Sequence, residues 1–359
     1  MAGYCDEREL EELRGKLTWN GPAGDSARFL SVFMDQNNKC NLRCRMCGFS
    51  DPRVDGLPGY DLPRWAFERI ADELFPRATY VCLSIMTEPF MTRDFADRLE
   101  TVRRHGVPFS DVITNGTLLT EESIAKILDS QLSRFIFSID GGTKAVYESI
   151  RPGAVFERVI GNFKLLQARR RERGVTLPKL RINHVLSELN IDHFDAFLDL
   201  LEWLEPEEIQ VRTVSRMSDA EIQESSDPVF WNKVRDVRVK LAAFCRRTGI
   251  VDSGFLRDRH SLIELFTGSS EKLICTKPWN TLAIHPNGDV FPCMAWSRPP
   301  IGNLRTDTFD EIWRGEKLEV LRREFAEVRP GLDCLHCTIR RSEADTDDDF
   351  FYRKLATAF

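Results

Sequence analysis

The sequence predicts an α/β fold: a partial (β/α)6 TIM-like barrel followed by a smaller C-terminal unit. Strand-like and helix-like segments alternate six times between residues 28 and 247, which calls for parallel strands joined by right-handed crossovers. A full barrel needs eight such units, so six imply an open one. Four polar stretches each follow the end of a strand, where parallel α/β folds place their ligands. Beyond residue 250 the pattern changes to a hairpin and paired cysteines.

Residues 1–27 read as an N-terminal extension, a short helix from Glu7 to Lys16 and then a Gly/Pro loop. It is expected to be too short for an independent peptide-recognition domain. The first strand is Arg28–Asp35, and a cysteine-rich loop follows it. Asp61-Leu62-Pro63 opens a helix to about Leu74, with proline in its first turn. Tyr80–Ile85 is a short apolar run typical of a buried strand, and a helix follows from about Asp94 to Arg104. The third strand is Phe109–Thr114, and Thr120 is a plausible N-cap for the next helix. Arg134–Ile139 and Lys179–Leu186 are the fourth and fifth strands, with helical segments between them to about Arg170. A helix over Asp192–Leu204, a strand over Glu208–Val214 and a long helix from Pro228 to Arg247 complete the barrel at residues 28–247. Residues 248–359 form the second unit. There Thr281–Ile284 is a strand, His285-Pro286-Asn287-Gly288-Asp289 a hairpin turn of the Asn-Gly type, and Thr308–Glu324 a helix.

Composition narrows the class. Of 359 residues 42% are hydrophobic and 30% charged, as in an ordinary globular chain. No apolar run approaches the ~18 residues of a membrane span, and the acidic N-terminus lacks a signal peptide, so a cytoplasmic location is expected. A net charge of −6 counts against a nucleic-acid partner. Arg169-Arg170-Arg171 reads as a solvated helix end, and the acidic stretch 343–349 as a solvated linker. Ten cysteines in a cytosolic chain point to metal ligation more than to disulfides.

Cys40, Cys44 and Cys47 are spaced C-x₃-C-x₂-C directly after the first strand. Three thiolates are one short of the four that close a [4Fe–4S] cluster, so one iron would stay open to an outside ligand. A structural zinc knot would use the same residue type. The spacing and position resemble the radical S-adenosylmethionine (SAM) enzymes, and the order of motifs over residues 28–247 is similar to their partial barrel. The resemblance implies that the open iron chelates SAM and that an external one-electron reductant, a flavodoxin or ferredoxin, drives its cleavage to a 5′-deoxyadenosyl radical. Met86-Thr87-Glu88-Pro89 matches the family's GGEP position, where Thr87 and Glu88 would hold the SAM amino group. Met46 takes the place of the residue beside the adenine. Asn115, Ser138 and Asp140 match positions lining the ribose or carboxylate, with Arg151 as a carboxylate partner.

Cys275, Cys293, Cys334 and Cys337 supply four more thiolates, two on the hairpin and two in a C-x₂-C knuckle. A zinc ion would also accept four cysteines. The region resembles the twitch or SPASM extension of radical SAM enzymes, and four cysteines suit the one-cluster twitch form. The resemblance therefore implies a second, auxiliary [4Fe–4S] cluster with no open iron. Cys82 and Cys245 read as inert buried thiols, while Cys5 stays open as a site residue.

A substrate radical can regain a hydrogen from a thiol, which epimerises it, or lose a proton and an electron, which oxidises an alcohol to a ketone. No cysteine stands at the carboxyl end of strands three to six, which favours oxidation. His184 and Arg212, near the ends of strands five and six, are the candidate catalytic residues, since histidine suits proton transfer near neutral pH. The layout resembles twitch enzymes acting on sugars and aminocyclitols of aminoglycoside antibiotics. The expected reaction is oxidation of a secondary alcohol in a carbohydrate-like small molecule, with the auxiliary cluster as electron acceptor. An epimerase using Cys5 or Cys82, a peptide-modifying maturase and a zinc-binding scaffold are the rivals.

Overall fold

The computed structural model describes residues 28–214, 227–253 and 277–326, apart from Arg53, Asp55, Gly56, Ala295 and Ser297. All six barrel strands form: β1 (Leu30–Met34), β2 (Ala78–Cys82), β3 (Phe109–Thr114), β4 (Arg134–Ser138), β5 (Lys179–Leu186) and β6 (Glu208–Thr213). Between them run α1 (Arg64–Leu74), α2 (Phe95–Arg104), α3 (Glu121–Asp129), α4 (Lys144–Ile150) with α5 (Phe156–Glu172), and α6 (Phe194–Leu204). A long α7 (Pro228–Thr248) leads into a short β7 (Val251–Asp252). The C-terminal part holds α8 (Lys277–Asn280), β8 (Thr281–Ile284), β9 (Asp289–Phe291), β10 (Gly302–Asn303), α9 (Phe309–Trp313) and α10 (Glu316–Ala326).

All ten strands join one sheet, ordered β10-β9-β8-β1-β2-β3-β4-β5-β6-β7. Neighbours from β1 to β7 are parallel, as helical crossovers require. β8 runs parallel to β1, so the C-terminal hairpin continues the barrel sheet from its first strand. Nothing pairs β7 with β10 among the described residues, and the barrel stays open.

The strands carry different chemistry on their two faces. Val32, Val81, Val112, Phe135, Phe137, Leu180, Ile182, Ile209 and Val211 are buried in the apolar core under the helices. Phe90, Phe135, Phe137 and Phe163 form a run of edge-to-face rings with centroids 5.1–6.1 Å apart. Each such ring contributes about 1.5–3 kcal/mol by its burial. Alternation then turns Tyr80, Cys82, Asp111, Arg134, Arg181, Asn183, Glu208, Gln210 and Arg212 to the concave side, the lumen.

Local signals explain the helix ends. The Thr120 hydroxyl accepts from Ser123 N at 3.2 Å while Ser123 Oγ accepts from Thr120 N at 2.9 Å, a reciprocal cap worth about 1 kcal/mol. The expected single helix over Thr308–Glu324 is in fact two, α9 and α10, broken at Arg314-Gly315. A Cβ at Gly315 would lie 2.7 Å from the Glu311 carbonyl, so this tight break needs glycine. The second strand also ends earlier than expected, at Cys82. Past it, the Ile85 and Met86 amides donate to the Asp35 carboxylate at 2.8 and 3.2 Å and leave the ladder. Among the described residues no helix is long and apolar enough to cross a membrane.

Candidate active site

The cysteine loop leaves β1 and is fastened on two sides. Asn37 Nδ2 donates to the Glu88 carbonyl at 3.0 Å and to Thr92 Oγ1 at 2.9 Å, and Glu88 N donates to the Lys39 carbonyl at 3.0 Å. On the other side Arg45 N donates to Ile150 O at 2.9 Å and Arg43 N to Pro152 O at 3.3 Å. The loop is therefore seated on the ends of β2 and α4.

Cys40, Cys44 and Cys47 face one another closely enough that each thiolate would raise the Cys40 pKa, although burial is the larger cause of its rise to about 12. Three cysteines are one short of a closed tetrahedral zinc knot, whereas a [4Fe–4S] cluster can take three and keep one iron open, so this donor set fits the cluster better. Asn115 Nδ2 lies 3.9 Å from Cys40 Sγ and donates to Asn41 Oδ1 at 2.9 Å. Arg151 Nη1 lies 3.6 Å from Cys44 Sγ. Both supply N–H donors of the kind that tune cluster sulfurs.

The candidates from sequence separate into distinct groups. Asn115 and half-buried Met46 sit at the loop, and Ser138 ends β4 on the lumen face. Thr87 Oγ1 donates to Asp35 Oδ1 at 3.0 Å, which holds the Met86-Thr87 backbone where the two family glycines are missing. Glu88 is 2% exposed, and its carboxylate accepts from Thr114 Oγ1 and Asn115 N, both at 2.8 Å. It ties the β2 and β3 loops together rather than pointing at a ligand, and burial pushes its pKa up to about 7.

Three further expectations need correction. Asp140 is fully buried and cannot line a cofactor; its Oδ2 accepts from Arg151 Nε at 2.6 Å and its Oδ1 from Val185 N at 2.7 Å. The carboxylate partner of Arg151 is thus the chain's own Asp140. His184 lies on the helix side of β5, not at the mouth. Its Nδ1 bonds the Ile139 carbonyl at 3.0 Å, and its ring packs on Phe197 with centroids 4.0 Å apart. Burial lowers its pKa to about 4, so it stays neutral and is a weak base. Arg212 does face the lumen, exposed at the end of β6, with Nε on Gln210 Oε1 at 3.1 Å. Of the second cysteine set, Cys293 is half-buried just after β9; Cys275, Cys334 and Cys337 lie outside the described residues.

Sequence reasoning missed Asp35, Arg181 and Asn183. A parallel strand buried on both faces should be a continuous apolar run, so Arg181 and Asn183, two apart on one face, were the available signal.

Comparison with known proteins agrees with this geometry. Residues 37–201 match the radical SAM superfamily and residues 275–338 the SPASM iron–sulfur cluster-binding domain. The two matches give the chain a radical SAM domain followed by a SPASM domain. It is 23% identical, over 80% of its length and 81% of the relative's, to the tungsten-containing aldehyde ferredoxin oxidoreductase cofactor-modifying protein of Pyrococcus furiosus. It is 22% identical to the PqqA peptide cyclase of Rhodopseudomonas palustris, over 74% of this chain and 67% of that one. Its fold is similar to Streptococcus suis SuiB bound to precursor peptide SuiA, with a TM-score of 0.66, 15% identity and coverage of 93% and 74% of the two chains.

Proposed function

We propose that the chain is a SAM-dependent radical oxidoreductase whose substrate lies in the barrel lumen below the cysteine loop. The observation that carries this is the convergence of Cys40, Cys44 and Cys47 beside Asn115 and Arg151, at the carboxyl ends of β1 to β4. When bound there, the cluster and SAM supply a 5′-deoxyadenosyl radical, and the auxiliary cluster supplies an electron acceptor. Cys275, Cys293, Cys334 and Cys337 would hold the auxiliary cluster, and all four fall within the SPASM match. Asp35 and Glu88 keep the loop after β2 in place, and Arg212 faces the substrate at the mouth.

The expected reaction is oxidation of a secondary alcohol in a carbohydrate-like molecule, and the polar lumen suits a hydroxylated substrate. A second reading, modification of a peptide side chain, is favoured by the PqqA peptide cyclase relative and the likeness to a peptide-bound fold. His184 has no part in either.

Anaerobic reconstitution should load about eight iron atoms with sulfide, two cubanes of four; zinc without sulfide would return the chain to a scaffold. Reduction with SAM should release 5′-deoxyadenosine, and Cys40→Ala, Cys44→Ala and Cys47→Ala should each bring it to background. Mass spectrometry of sugar and peptide candidates then separates the readings. A product lighter by two hydrogens marks oxidation, and unchanged mass in ordinary water with one deuterium gained in heavy water marks epimerisation.

A further inference from the structure

The lumen of this open barrel has an ion-paired floor and, just above it, an arginine whose Nε has no hydrogen-bond partner among the described residues. On the floor, Arg134 takes both available carboxylates: Asp111 through Nε at 3.1 Å and Nη2 at 2.5 Å, and Glu208 through Nη1 at 2.8 Å. Tyr80 also donates to Asp111 Oδ2, at 2.9 Å. Arg181 stands beside Glu208 and Ile136 in the adjoining strands. It is 7% exposed, and its Nε finds no acceptor among the described residues. Asp111 and Glu208 act on it only through space. Burial, with the neighbouring Arg134 second, disfavours its charge.

One step toward the mouth on the same face is Asn183, paired with Ser138 and Gln210 in the adjoining strands. Its buried Oδ1 likewise has no donor among the described residues. A buried guanidinium Nε without a hydrogen bond is costly, and the planar fork matches a carboxylate in two parallel bonds. Asn183 Oδ1 can accept only from a donor. The pair, roughly 7 Å apart along the strand, therefore asks for a ligand with an oxyanion at one point and an N–H or O–H nearer the mouth.

We propose that Arg181 and Asn183 form the inner end of the substrate site and select a substrate bearing a carboxylate. This deepens the reading of the lumen as the substrate chamber and rests on it. A carboxylated sugar and an acidic peptide side chain both satisfy it, while a neutral sugar does not.

The test uses the full-length, cluster-loaded protein without substrate. Its unfolding midpoint is followed against acetate and against inorganic phosphate, with chloride at matched ionic strength as reference. A ligand that binds only the folded state raises the midpoint in a saturable way. The wild type should show this with acetate. Arg181→Gln should weaken the apparent affinity about tenfold or more, and Arg181→Lys, which keeps the charge but loses the fork, should fall between. Arg103→Gln, at an exposed pair with Glu100, should match the wild type. A saturable shift with phosphate alone, or the same acetate response in the wild type and Arg181→Gln, overturns the carboxylate site, as does no shift at all. Deoxyadenosine release by the wild type is measured alongside; if that fails while the acetate result stands, the error lies in the enzymatic reading and not in the anion site.

Discussion

The two faces of β5 invite comparison. His184 and Asn183 are adjacent in sequence and both polar, yet one faces the helices and the other the lumen. On the helix side the fold satisfies both nitrogens of His184, through Ile139 O and Asn190 Nδ2, and packs its ring on Phe194 and Phe197. On the lumen side it leaves Asn183 Oδ1 and Arg181 Nε without partners among the described residues. In a strand buried on both sides, residue type alone does not mark function. Face does, because only the lumen has room for a ligand.

The strongest way to break this comparison is Arg151, which has what Arg181 lacks. Arg151→Met should cost about 3–5 kcal/mol, because it strands the fully buried Asp140 carboxylate. Denaturant unfolding checks this, and the double change with Asp140→Asn should recover most of the loss. In whatever cluster-loaded protein survives, removing the Nη1 donor from Cys44 Sγ should lower the cluster reduction potential, readable by redox titration with EPR.

His184→Phe should cost a smaller amount, about 1–3 kcal/mol, from the acceptor left at Ile139. It should also change the pH profile. The unfolded chain takes up a proton at His184 near pH 6.5, while the folded chain, with Asp140 raising and Arg151 lowering a pKa set mainly by burial, waits until about 4. Wild-type stability is therefore intact above the unfolded pKa and drains away as pH falls from 6.5 toward 4; the phenylalanine variant should lack that slope. Loss of turnover without loss of stability in His184→Phe would restore the catalytic role expected from sequence.

Arg181→Gln should change stability least, within about 1 kcal/mol, because no hydrogen bond to a described residue is broken. A loss as large as that of Arg151→Met would mean that Arg181 is structural, and the contrast between the faces would disappear.

Much of this was readable in advance where the chain interacts with itself locally. Phe109–Thr114 and Lys179–Leu186 form over the expected residues, and Thr120 caps its helix as expected. Strands and caps follow from neighbours a few positions away. The split at Gly315 was hidden because it depends on how closely a backbone carbonyl approaches. The Asp140–Arg151 pair was hidden because both residue types also suit a cofactor contact, and only packing shows that they are consumed by one another.

The amino-acid sequence by itself determined the strand–helix order, the three-cysteine loop after the first strand and the second cysteine set, all of them properties of spacing. Tertiary structure alone decided which polar groups are already satisfied: Glu88 by Thr114 and Asn115, Asp140 by Arg151, His184 by Ile139, and Arg181 by none of the described residues. Hydrogen-bond partners come from strands far apart in the chain, and a buried polar group keeps its chemistry free for a ligand only when no such partner reaches it.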